Sequence, residues 1–275
     1  MIEVYSGGKK IKGELFLSRF DAEAVGVFES LRTYKGKIFH ESEHIDRFLD
    51  SVKTAGLENL NFDLLKKELD SALKACYNDY PSLKKDDVFI RLTAWPYGGE
   101  YHGKIIIVIT QRKHPPEIYK TGVILRTSSV RRSLSHASPP QAKTTAYQNP
   151  LLATLDPSNG YEWVFLDQSG YITEVRIGNL FIVKNRRIFT PPTTGILNGV
   201  TRRFVLECAR TAKVPVKEIP LTRHEIFNAD EAFLTNTSWE ILPVRELDGR
   251  KVGCETRGFP GPITRKLQTI FKKKV

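Results

Sequence analysis

No apolar run in this 275-residue chain approaches the ~20 residues that cross a bilayer. The opening stretch, MIEVYSGGKKIKGELF, has none of the apolar core of a secretory signal. Cysteine is scarce. Cys76, Cys208 and Cys254 are odd in number and far apart, which excludes a disulfide framework and a zinc pattern. A reducing cytoplasm is the compartment these absences predict. Internal repeats and low-complexity segments are missing too. Acidic residues are in deficit: 31 Asp and Glu against 42 Lys and Arg give a formal charge of +11. The basic residues are scattered, with one short cluster in the C-terminal KKK, and no zinc finger or RNA-binding aromatic motif accompanies them. The excess reads as a solvated surface or as an attractive field for anionic ligands. A non-enzymatic anion- or nucleic-acid-binding protein is the outside alternative it suggests.

What is present is the composition of a soluble globular protein, 40% hydrophobic and 27% charged, long enough for one large domain or two modest ones. The pattern predicts strands at Val25–Tyr34 and Lys37–His40, a helix capped by Ser42 and ending at Gly56, and a second helix over Phe62–Cys76. Two more strands follow at Val88–Ala94 and Lys104–Thr110. Composition shifts at Gln111–Ile118, where HisProPro follows a basic pair. This places a small α/β domain at 1–115, a linker at 116–126 and a larger domain at 127–275. From Glu162 short strands and turns alternate, with helices at Val200–Thr211 and Gly261–Phe271. Strands outnumber helices, so the larger domain is expected to be barrel-like. The fold class is α/β (α+β).

Several residues could carry chemistry. Lys143, in QAKTTAYQNP, could hold a carbonyl ligand covalently if partly buried or beside another cation, or it could be a surface lysine. Glu174 ends a short strand. It could pair with a ring nitrogen, or form a strand-end ion pair with a neighbour such as Arg176. Gly199-Val200-Thr201 opens a helix after a Pro/Gly loop and suits a phosphate, with Asn198 or Thr201 as a simple helix cap being the alternative. Thr235-Asn236-Thr237-Ser238 offers hydroxyls and amides between two strands. Arg47 lies one residue from the apolar face of its helix and could reach an anion. Arg32 and Arg91 are candidates for a substrate carboxylate and equally for ion pairs.

The order of these elements carries more than any one of them. Lys143-x-x-x-Tyr147, LDQSGYITE, NLFIV, TPP, ILNGVTR, ADEAFLTNTSWEILPV and LDGRKVG…GPIT follow one another. Together with VGVFESLRTYKGKIFHESEHIDRF upstream, they resemble the class IV pyridoxal-phosphate aminotransferases. That group contains branched-chain and D-amino-acid aminotransferases and aminodeoxychorismate lyase. The resemblance implies a fold-type-IV enzyme, with a small α/β sandwich, a larger pseudo-β-barrel domain and pyridoxal 5'-phosphate between them, acting as a homodimer. It implies that Lys143 holds the cofactor aldehyde as an imine and shuttles the substrate's α-proton, and that Glu174 binds the ring nitrogen. Tyr147 would lie near the phenolic oxygen. Arg47, Val200, Thr201 and Thr237 would hold the phosphate. Phe28, Arg32, Arg91, Arg176 and Ser238, the last through its backbone N–H, would serve the substrate.

The sequence departs from that pattern at Ala146, where the family has Asn, and at Phe89, where branched-chain enzymes have Tyr. Val175-Arg176-Ile177 replaces small residues after Glu174, and residues 95–100 lack the arginine of a D-amino-acid enzyme. The expected activity is transfer of an amino group between an aliphatic or branched-chain amino acid, L or D, and a 2-oxo acid such as 2-oxoglutarate. Aminodeoxychorismate lyase is the alternative. No metal, nucleic acid or membrane partner is expected.

Overall fold

The computed structural model describes residues 2–10, 25–97, 100–132, 139–146, 148–155, 159–253 and 258–275. They fall into two compact units, Met1–Lys113 with Ala142–Ala146, and His114–Gln141 with Tyr147–Val275. Residues 116–126, read from composition as a linker, hold a short helix at Glu117–Thr121 and most of a strand at Val123–Thr127.

The first unit is a two-layer α/β sandwich. Its strands are β1 (Ile2–Ser6), β2 (Lys9–Lys10), β3 (Val27–Tyr34), β4 (Lys37–Ile38), β5 (Phe89–Tyr97) and β6 (Glu100–Thr110), in the order β2-β1-β6-β5-β3-β4. Gly7 and Gly8, both at positive φ, make the turn of the β1–β2 hairpin, a conformation open to glycine at little cost. Helices α1 (Glu41–Thr54) and α2 (Phe62–Asp79) cover the sheet. Ile45, Phe48 and Val52 from α1 and Leu65, Leu69 and Leu73 from α2 share one core with Val27, Leu31, Ile90, Leu92, Ile107 and Ile109. The helical spacing of the first six and the period of two along the strands are what bring these side chains to one face.

Ser42 does not cap α1. His40 holds that position in the left-handed region (φ 48°), its ring contacting Glu43, while Glu41 and Glu43 place negative charge at the positive end of the helix dipole. Asn61 caps α2, accepting the Leu64 N–H at 2.9 Å.

The second unit has helix α3 (Glu117–Thr121) and then strand β7 (Val123–Thr127), followed by α4 (Gln148–Thr154) and strands β8 (Glu162–Leu166), β9 (Ile172–Val175), β10 (Asn179–Lys184) and β11 (Arg187–Thr190). Then come α5 (Val200–Thr211), β12 (Val216–Glu218), α6 (Arg223–Phe227), β13 (Glu231–Asn236), β14 (Glu240–Leu247), β15 (Arg250–Lys251) and α7 (Pro262–Lys274). The main sheet order is β12-β11-β10-β13-β14-β7-β8-β9. The sheet curls until its ends meet: the Ile172 N–H of β9 donates to the Leu221 carbonyl, just past β12, at 2.7 Å. Val164, Val175, Leu180, Leu234, Leu242 and Leu221 fill the resulting barrel. Closure of this kind leaves few strand edges unpaired. Outside the barrel, Phe204 of α5 and Phe271 of α7 meet edge to face at 5.0 Å.

Candidate active site

Lys143 is fixed first by its backbone. Its carbonyl accepts the Phe28 N–H at 2.9 Å, and the Thr145 N–H donates to the Gly26 carbonyl at 2.8 Å, so the segment lies along the start of β3. The Lys143 N–H donates to Ser51 Oγ of α1 at 3.0 Å, and that hydroxyl donates to the Arg47 carbonyl at 3.0 Å. The half-buried amine lies 4.3 Å from the centre of the Phe28 ring. The Arg91 guanidinium lies 4.1 Å from the same ring. Arg112 stacks on Phe89 at 3.8 Å, and burial, then the charge of Arg91, lowers its pKa. Cations gathered this way form a ready site for an anion.

Arg47 is clamped rather than free-swinging. Its Nε donates to Glu29 Oε2 at 2.8 Å and its Nη2 to Glu29 Oε1 at 2.7 Å, a bidentate pair. Glu29 is fully buried on β3, with His44 Nδ1 3.3 Å away. Burial opposes its ionisation, but the charge of Arg47 and the contact with His44 outweigh that and hold its carboxyl well below the usual range. Arg32 lies further along β3, pairing with Asp87 at 2.8 Å and stacking over Tyr34 at 4.9 Å.

In the second unit Glu174 is buried near the end of β9. Arg132 pairs with Oε1, while Oε2 accepts the Leu197 N–H at 3.3 Å and lies 3.5 Å from Asn179 Nδ2. The ion pair anticipated with Arg176 does not form. Arg176 turns instead to Glu162, 2.8 Å away and fully buried at the start of β8. Burial pushes the Glu162 carboxyl up to about 7 against the opposing pull of Arg176.

Asn179 links Glu174 to the helix start. Its Nδ2 also donates to the Leu197 carbonyl at 3.0 Å, and a Cβ on Gly199 would fall 2.3 Å from its Oδ1. Gly199 is therefore needed for close approach. It is also the N-cap of α5, and among the described residues no side chain caps that helix, neither Asn198 nor Thr201. Val200 and Thr201 are buried in the first turn, which contains no acidic residue. Arg202 and Arg203 follow, the first pairing with Glu218 at 2.8 Å and the second donating to the Asn198 carbonyl at 3.2 Å. An incoming anion would suit the uncapped N–H groups of this helix start.

The 235–238 turn is closed by Asn236, whose Oδ1 accepts the N–H groups of Ser238 at 2.8 Å and Trp239 at 2.6 Å. The Ser238 N–H, read as a donor to substrate, is thus already engaged. The Ser238 hydroxyl lies 2.7 Å from His114 Nε2. Thr237 is half-buried in the same turn. Tyr147 lies outside the described residues.

Known proteins match this chain over most of its length. The model of the class IV amino-transferase family matches residues 26–247. The branched-chain-amino-acid aminotransferase of Pseudomonas aeruginosa is 34% identical over 264 residues, covering 90% of this chain and 83% of the relative. The chain belongs to the class IV aminotransferase family.

Solved aminotransferases share its fold closely. The branched-chain aminotransferase of Thermoproteus uzoniensis, solved with norvaline, superposes with a TM-score of 0.83, at 28% identity over 98% of this chain and 93% of that one. The T.th. branched-chain enzyme complexed with N-(5'-phosphopyridoxyl)-L-glutamate gives 0.84 at 26% identity, over 98% and 93%. This aminotransferase is thus a pyridoxal-phosphate-dependent transaminase. The residues present suit the cofactor's chemistry: the first unit holds a half-buried lysine fixed by its backbone, and the second a buried carboxylate and a helix start with neither a side-chain cap nor an acid.

Sequence reasoning missed Glu29, Arg132, Asn179 and His114. Arg132 had a faint signal, a basic pair (Arg131-Arg132) in an otherwise polar, irregular stretch. Asn179 was hidden at the head of the apolar run LFIV. Glu29 had the clearest signal, an acid at a position whose strand neighbours on the same face, Val27 and Leu31, are apolar.

Proposed function

We propose that this aminotransferase transfers the amino group of aliphatic and branched-chain L-amino acids to 2-oxoglutarate, as a cytoplasmic homodimer. The observation that carries the reading is the Lys143–Phe28–Arg91 group, in which an amine and a guanidinium lie 4.3 and 4.1 Å from the centre of one apolar ring. A substrate carboxylate would pair with Arg91, an aliphatic side chain would pack on Phe28, and Lys143 would reach the Cα proton. The Pseudomonas relative and the norvaline-bound neighbour support the choice of aliphatic substrates.

Pyridoxal phosphate, when bound, supplies the conjugated ring that takes up the electron pair left at Cα. The chain's residues do the rest. Lys143 would anchor the cofactor covalently and, once the substrate amine has displaced it, would take the Cα proton and return it. Glu174 would keep a proton on the ring nitrogen. In the second unit the N–H groups of Val200 and Thr201, with Thr237, would hold the phosphate; in the first, Arg47, kept in one orientation by Glu29, is a further phosphate-binding candidate.

The homodimer is supported by Leu151 and Leu152 of α4 and Leu155 just past it, which are 64%, 50% and 71% exposed and offer an apolar surface fit for a second copy. A reducing compartment accords with Cys76 and Cys208, both free. The test is donor preference. Purified protein with pyridoxal phosphate is expected to form glutamate from 2-oxoglutarate with L-leucine, L-valine or L-norvaline. Activity confined to D-alanine would overturn the substrate assignment.

A further inference from the structure

Arg132 stands immediately behind Glu174, and its own position is fixed from three sides. Its N–H donates to the Leu166 carbonyl at 2.9 Å, its carbonyl accepts Gln168 Nε2 at 3.1 Å, and its guanidinium lies over Phe165, 5.2 Å from the ring centre. The guanidinium is largely buried. Among the described residues its Nε has no hydrogen-bond partner, so it is desolvated in order to meet the Glu174 carboxylate. The other carboxylate oxygen is occupied by the Leu197 N–H with Asn179 beside it. Glu174 is thereby held in one rotamer.

We infer that Arg132 is a positioning residue for the cofactor's ring nitrogen, acting through Glu174; the inference rests on the role proposed above for that carboxylate. A buried carboxylate facing a ring nitrogen can share one proton in two ways. The proton can sit on the nitrogen, leaving two opposite charges, or on the oxygen, leaving none. Burial alone favours the uncharged arrangement. A fixed guanidinium on Oε1 favours the carboxylate anion and so returns the proton to the nitrogen. Arg132 therefore sets how strongly the ring withdraws electrons, although it touches neither substrate nor cofactor. Glu174, Asn179 and the Leu197 N–H are the groups through which it does so.

The test uses the full chain saturated with pyridoxal phosphate and follows the visible band of the lysine-bound cofactor against pH. A proton on the ring nitrogen makes the lysine linkage easier to deprotonate, so losing it raises the midpoint of that titration. Arg132→Met is expected to raise the midpoint by about one pH unit, a tenfold change. Arg132→Lys, which keeps the charge, is expected to stay near the wild type. In a Glu174→Gln background, Arg132→Met should add nothing further. A wild-type midpoint in Arg132→Met, or the same shift with and without Glu174, overturns the inference. Arg132→Gln serves for the same comparison if the methionine variant does not fold. A wild-type chain with no visible band overturns the underlying assignment of Glu174 and Lys143 instead.

Discussion

Glu162 offers a prediction whose size can be worked from the structure. Its side chain is fully buried. Among the described residues Oε2 has no hydrogen-bond partner, and Arg176 is the one side chain that pairs with Oε1. Burial raises its pKa from 4.5 to about 7. A carboxyl raised on folding binds its proton more tightly in the native state. It therefore stabilises the fold below pH 4.5, and that contribution is lost as pH rises through about 7. Each pH unit in the middle of that window changes stability by about 1.4 kcal/mol. Both ends of the window are rounded, so about 2 kcal/mol is lost between about pH 5 and pH 7.

Glu162→Gln removes this titration and leaves the partly exposed Arg176 to water. The assay is urea unfolding followed by circular dichroism at several pH values, for both proteins. Glu29 and His44 also titrate abnormally, the first held low by Arg47 against its burial and the second lowered by burial, but both are present in each protein and cancel in the difference. The stability of Glu162→Gln relative to wild type is expected to climb by about 2 kcal/mol from about pH 5 to pH 7 and to level off soon above that. Parallel curves across that range would show that Arg176 fully compensates the burial and would refute the reasoning.

Two further perturbations follow from the same contacts. Arg47→Met leaves Glu29 buried without its guanidinium and is expected to cost about 3–5 kcal/mol of stability, seen as a lower urea midpoint, in addition to weakening phosphate binding. Gly199→Ala places a methyl group 2.3 Å from Asn179 Oδ1, so the helix start or Asn179 must move. About 1–3 kcal/mol of stability should be lost, and inorganic phosphate should protect the variant less against thermal unfolding than it protects the wild type.

Much of the second unit was legible because its strands are short apolar runs punctuated by turns. The helix Val200–Thr211 falls at the expected residues, and Thr222 caps α6 with a capping box through Glu225. Strand β7 was not legible as a strand in the middle of the sheet. Its partners, Val244–Leu247 and Glu162–Val164, are distant in sequence, and parallel pairing leaves no turn signal. The N-terminal strand β1 was passed over although Gly7-Gly8 marks its hairpin; its main partner is β6, about a hundred residues on.

Motif order proposes the chemistry-bearing residues, but their partners cannot be read from it. Arg132 meets Glu174 across 42 positions, and Arg47 reaches Glu29 from a helix onto a strand. Such pairings depend on which way a side chain turns in three dimensions. Arg176 shows the same limit from the other side. It follows Glu174 by two residues, yet its charge is spent on Glu162 at the start of another strand.

The central claim, a lysine-held cofactor that carries the amino group, is tested most directly by the visible absorbance of the purified chain with pyridoxal phosphate. The expected result is a yellow protein whose band fades on adding L-leucine alone and returns on adding 2-oxoglutarate, with both the band and amino transfer abolished in Lys143→Ala. Amino transfer that survives in Lys143→Ala, or a wild-type chain that stays colourless with the cofactor, would contradict it.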